Sequence, residues 1–158
     1  MNIFFDLARE ADVDALLGMA RAFHVEDGHP LDTRGEAAVV RVAKGEPLAR
    51  AWIARIGREA VGYVVVTLGY SIEYGGRDGF IDDLYLVPEL RGRGLGRKML
   101  AFTLSQAAQL GIGTLHLEVE TSNDQATRLY RSAGFEATGR SLMRLRVRAK
   151  GPPGVDGC

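Results

Sequence analysis

Cysteine is almost missing from this chain of 158 residues: the single one, Cys158, stands at the last position. Internal disulfides are thereby excluded, and with them the stapled secreted scaffolds and any cysteine-built zinc site. Net charge is missing too, because 20 Lys+Arg are matched by 20 Asp+Glu. General nucleic-acid and membrane-surface binders carry a cationic excess, so neither partner is expected, although a local basic patch is compatible with the balance. No apolar stretch approaches the ~18 residues that a membrane helix needs. The start, Met1-Asn2-Ile3-Phe4-Phe5-Asp6, has no basic leader and no cleavage signal. A cytoplasmic protein is the expectation. The length and the 46% hydrophobic share suit one domain with a packed core. We expect that domain over 1–148, followed by a flexible tail over 149–158 that holds three glycines and two prolines.

What the chain does have is concentrated in Val87-Pro88-Glu89-Leu90-Arg91-Gly92-Arg93-Gly94-Leu95-Gly96-Arg97-Lys98. This run joins a strand-like segment, Phe80 to Leu86, to an amphipathic helical one, Leu95 to Leu110. From Arg91 to Lys98 it holds no acidic residue. A strand that enters a glycine-rich turn and then a helix makes a pyrophosphate cradle. The glycines let the backbone approach, several N–H groups share one concavity, and the helix N-terminus adds partial positive charge. A dinucleotide fingerprint would need Gly or Ala at 97, where Arg97 stands, and a P-loop would need Lys then Ser or Thr directly after Gly96. Both fail.

Around this run the patterns alternate between helix and strand. Asn2 to Ala8 reads as a strand. Val13, Leu16, Leu17, Met19, Ala20 and Phe23 mark a helix, and Asp32 or Thr33 caps a second, with Glu36 available for a capping box. Leu48–Ile56 and Ala60–Leu68 read as a hairpin through Gly57-Arg58-Glu59, and Tyr70–Asp78 as a polar loop. Thr114–Val119 alternates cleanly, Ser122 or Asn123 caps the next helix, and Phe135–Thr138 with Ser141–Arg148 reads as a closing hairpin. The order is βααβββαβαββ, an α/β single domain.

Two motifs decide among the candidates for the cradle's ligand. One is Arg-x-x-Gly-x-Gly at Arg91, Gly94 and Gly96, behind the acidic-aromatic strand Ile81-Asp82-Asp83-Leu84-Tyr85-Leu86-Val87. The other is Asn123-Asp-Gln-Ala-Thr-Arg-Leu-Tyr130-Arg-Ser-Ala-Gly134-Phe135. In this order and separation they resemble the GCN5-related N-acetyltransferases (GNAT), from about Ile3 to Val147. The resemblance implies a GNAT fold with a mixed central sheet of about six to seven strands flanked by helices. It implies acetyl-CoA as acetyl donor, no metal, a small-molecule amine as acceptor, and a homodimer through the C-terminal strands. Protein lysines or N-termini are alternative acceptors, and a CoA-binding regulatory domain with little turnover is an alternative of another class.

Residue by residue, the resemblance assigns the pyrophosphate to the backbone of Arg91, Gly92, Arg93, Gly94, Leu95 and Gly96, and the pantetheine arm to the strand backbone at Leu84 and Leu86. Asn123 either contacts CoA or only caps its helix. Tyr130 is placed as the acid that protonates the departing thiolate, against a core tyrosine as the alternative. For the base that neutralises the acceptor, the candidates are Asp82, through water, and then Glu118. Adjacent strand residues point to opposite faces, so Asp82 and Asp83 are expected to have separate roles, Asp83 binding a cationic acceptor or a neighbouring loop. Tyr74 lines an acceptor pocket or a solvated hairpin end. His24 and His29 border the acceptor side in this family and read as structural or solvent-exposed, and His116 has no assigned role.

Overall fold

The computed structural model describes residues 1–148, so the expected tail over 149–158, with Cys158, lies outside the described residues. In chain order the elements are β1 (Phe4–Leu7), α1 (Val13–Glu26), α2 (Thr33–Ala43), β2 (Ala49–Ile56), β3 (Glu59–Ser71), β4 (Gly76–Leu86), α3 (Leu95–Gln109), β5 (Thr114–Leu117) and α4 (Asp124–Ser132). Short 3-10 turns at Glu10–Asp12 and Pro88–Leu90 lead into α1 and out of β4.

The strands form one sheet in sequence order, antiparallel from β1 to β4 and parallel between β4 and β5. A parallel step needs a crossover, and α3 provides it. Alternation along β2, β3 and β4 gives each face its own core. Leu16, Met19 and Ala20 of α1 cover Ala51, Ile53, Tyr63, Val65 and Tyr85. On the other face, Leu100 and Ala107 of α3 cover Trp52, Val64, Val66 and Ile81. Leu100, Val64 and Val66 are essentially inaccessible. Burying each such side chain contributes about 1.5–3 kcal/mol. Truncation of Leu100 to alanine would remove about 2–5 kcal/mol from the layer that holds the cradle helix.

Three sequence expectations are corrected. The sheet has five strands among the described residues, not about six to seven, because 135–148 carries no strand. The alternation of Met143, Leu145 and Val147 is a strand pattern without a partner, and all three side chains stand exposed. The polar loop expected over Tyr70–Asp78 is a tight hairpin: β3 runs to Ser71, β4 starts at Gly76, and the pairing continues to Ser71 opposite Gly76. Third, Asp82 and Asp83 do not obey strict alternation. Val65 pairs with Asp83 while Val66 pairs with Ile81, so Asp82 is the extra residue of a β-bulge. Two residues then oppose one, and both carboxylates act on the same imidazole, that of His24, which Asp83 contacts directly.

The pairing of β4 with β5 stops where that bulge begins. It covers only Asp78–Ile81 against Thr114–Leu117. From Asp82 to Leu86, β4 keeps β3 on one side and loses its neighbour on the other, which opens a wedge in the sheet.

Candidate active site

Pro88 starts the turn that follows β4, and its carbonyl accepts the Arg91 N–H at 3.2 Å. Gly92 and Gly94 then adopt φ of +74° and +78°, the left-handed region that glycine occupies without strain. Gly94 is the N-cap of α3 and gives it no side-chain cap. The N–H groups of Gly92, Arg93, Gly94, Leu95 and Gly96 have no protein acceptor among the described residues. They stand at the positive end of a 15-residue helix. An ideal Cβ at Gly92 or Gly94 would meet no protein atom within 4 Å, so the space before the loop is open for a ligand. The cradle fits a pyrophosphate.

Arg91 shapes this cradle with three of its five N–H donors already engaged. Its guanidinium binds both carboxylate oxygens of Glu26 on α1, and its Nε donates to the Leu86 carbonyl at 2.9 Å. The Leu86 carbonyl is therefore already occupied, while Leu84 retains its place on the wedge. The cleft that runs from the cradle along Leu84–Leu86 has a volume of about 670 Å3, and Asn123, Leu129 and Tyr130 of α4 close its far wall. Asn123 accepts the Ala126 N–H at 3.0 Å, so its side chain caps α4 as it faces the cleft.

Tyr130 is half-buried, and its ring packs edge-on against Phe135 at 5.9 Å. Burial first, and the Asp27 carboxylate second, push its phenol above the ordinary value. It therefore holds its proton at neutral pH, as a proton donor must.

On the face of the sheet covered by α1, the acidic residues meet a histidine. Asp83 is the one charged residue buried among the described residues. Its Oδ2 accepts the Tyr63 hydroxyl at 2.8 Å and lies 3.1 Å from His24 Nε2. The hydrogen bond to Asp83 raises the imidazole above its ordinary value against the opposing effect of burial, and Asp82 and Asp27 add to the rise. Asp82 is exposed beside Asp83; desolvation and then Asp83 push its carboxyl up, and Glu118 adds to that effect. Glu118 lies just past β5, exposed. Further along the same face, His116 sits 3.3 Å from Asp78 and between the rings of Tyr74 and Phe80, each 5.0 Å away. Tyr74 lines a second hollow between α3, β5 and α4, together with His116 and Tyr130. Asp27, His29 and Glu120 bring ligand-type atoms within 4.8 Å of one another, His29 bonding to Glu120 at 3.2 Å.

The structure thus brings Leu84, Leu86, Arg91, Gly92, Gly94, Gly96, Asn123 and Tyr130 to one cleft, and groups Asp82 with Asp83, His24 and Glu118 beside the neighbouring stretch of β4 and β5. Sequence reasoning read His24 as structural or solvent-exposed and gave no role to Tyr63, Glu26 or Phe80. His24 and Asp83 are separated by 59 positions, and no spacing rule connects a helix end to a bulge that only the sheet register creates. Among the described residues, no helix is long and apolar enough to cross a membrane.

Comparison with known proteins agrees with this geometry. The family model described as acetyltransferase (GNAT) family matches residues 4–135. A thialysine N-epsilon-acetyltransferase of Bos taurus is 33% identical over 99 residues, 63% of this chain and 53% of that protein. The N-alpha-acetyltransferase RimI of Mycobacterium tuberculosis is 39% identical over 89 residues, 54% of this chain and 51% of that protein. The match to these curated relatives spans about half of their length. Among solved structures, an integron cassette protein from the mobile metagenome of Cole Harbour Salt Marsh superposes with a TM-score of 0.76 at 35% identity, over 92% of this chain and 91% of that one.

Proposed function

Because the chain belongs to the GNAT acetyltransferase family, we propose that it is an acetyl-CoA-dependent N-acetyltransferase acting on a small cationic primary amine by direct attack in a ternary complex. The observation that carries this reading is the wedge: a cradle of unpaired N–H groups at one end, a protonated tyrosine in the middle and a carboxylate group at the other end.

Acetyl-CoA supplies the thioester-activated acetyl group. The backbone of Gly92 to Gly96 holds the pyrophosphate, helped by the α3 dipole, and Arg91 fixes the loop that presents those groups. Leu84 gives strand backbone to the pantetheine arm, with Leu86 beside it, and Asn123 borders the cleft. Tyr130 protonates the departing thiolate. Asp82 and Glu118 receive the positive acceptor and balance its charge, while Asp83 and the aromatic ring of Tyr74 contribute to the acceptor side. The reaction so written uses no metal, no nucleic acid and no membrane. The only cysteine is Cys158, and no serine is bonded to a base among the described residues, which favours direct transfer over an acetyl-enzyme.

We also propose a cytoplasmic homodimer, supported by the exposed apolar side chains of Leu142, Met143, Leu145 and Val147 on a segment without a strand partner. The function is tested by mass-spectrometric acetylation of an amine panel containing diamines, amino acids, amino sugars, and peptides with free N-termini or lysines. Transfer to small cationic amines supports the reading. Transfer confined to peptides selects a protein acetyltransferase, and CoA binding without transfer to any amine selects a regulatory binding domain.

A further inference from the structure

We propose that His24 is the proton acceptor for the incoming ammonium group, held in place by Asp83, which Tyr63 holds in turn; the assignment rests on the acetyltransferase reading above. A carboxylate buried as deeply as Asp83 is costly unless its lone pairs are used. Here one oxygen takes both the Tyr63 hydroxyl and His24 Nε2. That bond fixes the tautomer: Nε2 carries the hydrogen toward the carboxylate, so Nδ1 carries the lone pair. Nδ1 has no protein partner among the described residues and is not a buried unsatisfied atom, so it is open to solvent.

The placement matches the task. His24 lies in the last turn of α1, over the bulge where β4 parts from β5. Asp27, one turn on, acts on both His24 and Tyr130, and Phe23, the neighbour of His24, lines the cleft together with Tyr130. The groups facing the imidazole are Asp83 and Asp82 from β4 and Asp27 from the end of α1, with Tyr63 from β3 behind Asp83. Beyond β5, Glu118 acts on Asp82, and Glu120 stands with His29 beside Asp27.

Relative basicity separates His24 from Asp82. Moving a proton from an ammonium of pKa about 10.4 to an ordinary carboxylate is uphill by about six powers of ten, and to an ordinary imidazole by about four. His24 is the better acceptor, and Asp82 beside it compensates the charge of ammonium and then of imidazolium. One ammonium N–H bond breaks as Nδ1–H forms. The neutral nitrogen then bonds to the acetyl carbon as the C–S bond breaks. The thiolate takes the Tyr130 proton, and the nitrogen's second proton restores the phenol through water. His24 releases the first proton to solvent, so each turnover yields amide, CoA thiol and one proton.

The test compares the pH dependence of kcat/KM for the amine with the titration of the His24 ring, followed by nitrogen NMR, in wild type, His24→Gln and Asp83→Asn, with CoA binding measured directly on each. We expect the acidic limb of the wild-type profile to coincide with the ring titration. His24→Gln should lose about 10²-fold at neutral pH, together with that limb, and retain CoA affinity. Asp83→Asn should move ring titration and limb together to lower pH. A wild-type limb that does not follow the ring, or a His24→Gln enzyme with wild-type rate and limb, overturns the role of His24 while leaving acetyl transfer standing. A wild type that binds CoA but acetylates no amine overturns the acetyltransferase reading, and this role with it. If His24→Gln fails to fold, the comparison of limb and ring within the wild type still decides.

Discussion

Arg91 and Glu26 meet through both terminal guanidinium nitrogens and both carboxylate oxygens, the Nη2–Oε2 contact at 2.9 Å, so the loop after β4 is fastened to the end of α1. The same guanidinium lies 5.5 Å from the centre of the Tyr85 ring. A residue so engaged is expected to act chiefly by positioning the cradle. Arg91→Glu alone should weaken CoA binding, and the swap Arg91→Glu with Glu26→Arg should restore much of it. No restoration in isothermal titration would show that Arg91 binds the phosphate directly.

The same pair predicts an acid dependence. The hydrogen bond from Arg91 holds the Glu26 carboxyl below its ordinary 4.5. A depressed carboxylate stabilises the fold above its unfolded value, and that contribution is lost as pH falls through the lower folded value. Both side chains are partly exposed, so solvent screening limits the effect to about 0.5–1 kcal/mol. Urea unfolding of Glu26→Gln should show this deficit at neutral pH, and it should vanish in acid.

Gly94 tests the cradle through the backbone. At φ of +78° any L side chain is strained, by about 1–2 kcal/mol. Nothing of the protein lies within 4 Å of a Cβ there, so Gly94→Ala should fold, with a lower Tm. The methyl group would project into the space before the free N–H groups, and CoA affinity should fall by more than the stability does. Equal affinity in the folded variant would remove the cradle from the binding site.

Much of this site was legible in the chain because its cofactor half is local. Arg91 to Gly96, the α3 that follows and Asn123 to Phe135 are contiguous, and their glycines and caps act over a few residues. The acceptor half is not local. His24, Tyr63 and Asp83 come from α1, β3 and β4, and the bulge at Asp82 arises from pairing with Val65 and Val66, which no single-strand pattern encodes. The closing hairpin failed for a related reason. Alternation at Met143, Leu145 and Val147 gives strand propensity, but a strand also needs a paired neighbour, and the segment pairs with none among the described residues.

Tyr130→Phe removes one oxygen from a ring that stays packed on Phe135. Folding and CoA binding should be unchanged, and kcat should fall by about 10²-fold or more, with acceptor KM little affected. An acetyl donor with a more acidic leaving thiol should recover part of the loss, because the thiolate then needs its proton less. An unchanged kcat would return Tyr130 to a packing role.

Asp82 is expected to trade stability for acceptor binding. Burial and Asp83 raise its carboxyl above 3.8, so the ionised form destabilises the fold at neutral pH. That cost is relieved as pH falls through the raised value and is gone below the unfolded one. Asp82→Asn should therefore raise Tm at pH 7 and raise KM for a cationic amine, more for a diamine than for a monoamine. A lowered Tm with unchanged KM would make Asp82 a structural residue.

The last prediction concerns the unpartnered segment. Met143, Leu145 and Val147 alternate in sequence and are 90%, 86% and 78% exposed, while β5 has only β4 beside it among the described residues, which leaves that edge of the sheet unpaired. An open edge and a strand-patterned apolar segment are complementary: the edge lacks hydrogen-bond partners and the segment lacks both partners and cover. Within one chain, Arg140 is held by Glu73 at 2.7 and 2.8 Å, which fixes the start of the segment beside the β3–β4 hairpin. A second copy can bury what the first leaves open, at about 1.5–3 kcal/mol for each side chain fully covered. Light scattering after size exclusion should give twice the chain mass for the wild type and the monomer mass for Leu145→Asp, with far-ultraviolet dichroism preserved. A wild type that is monomeric at high micromolar concentration would sink the dimer, since six exposed apolar side chains brought together would not remain apart at that concentration.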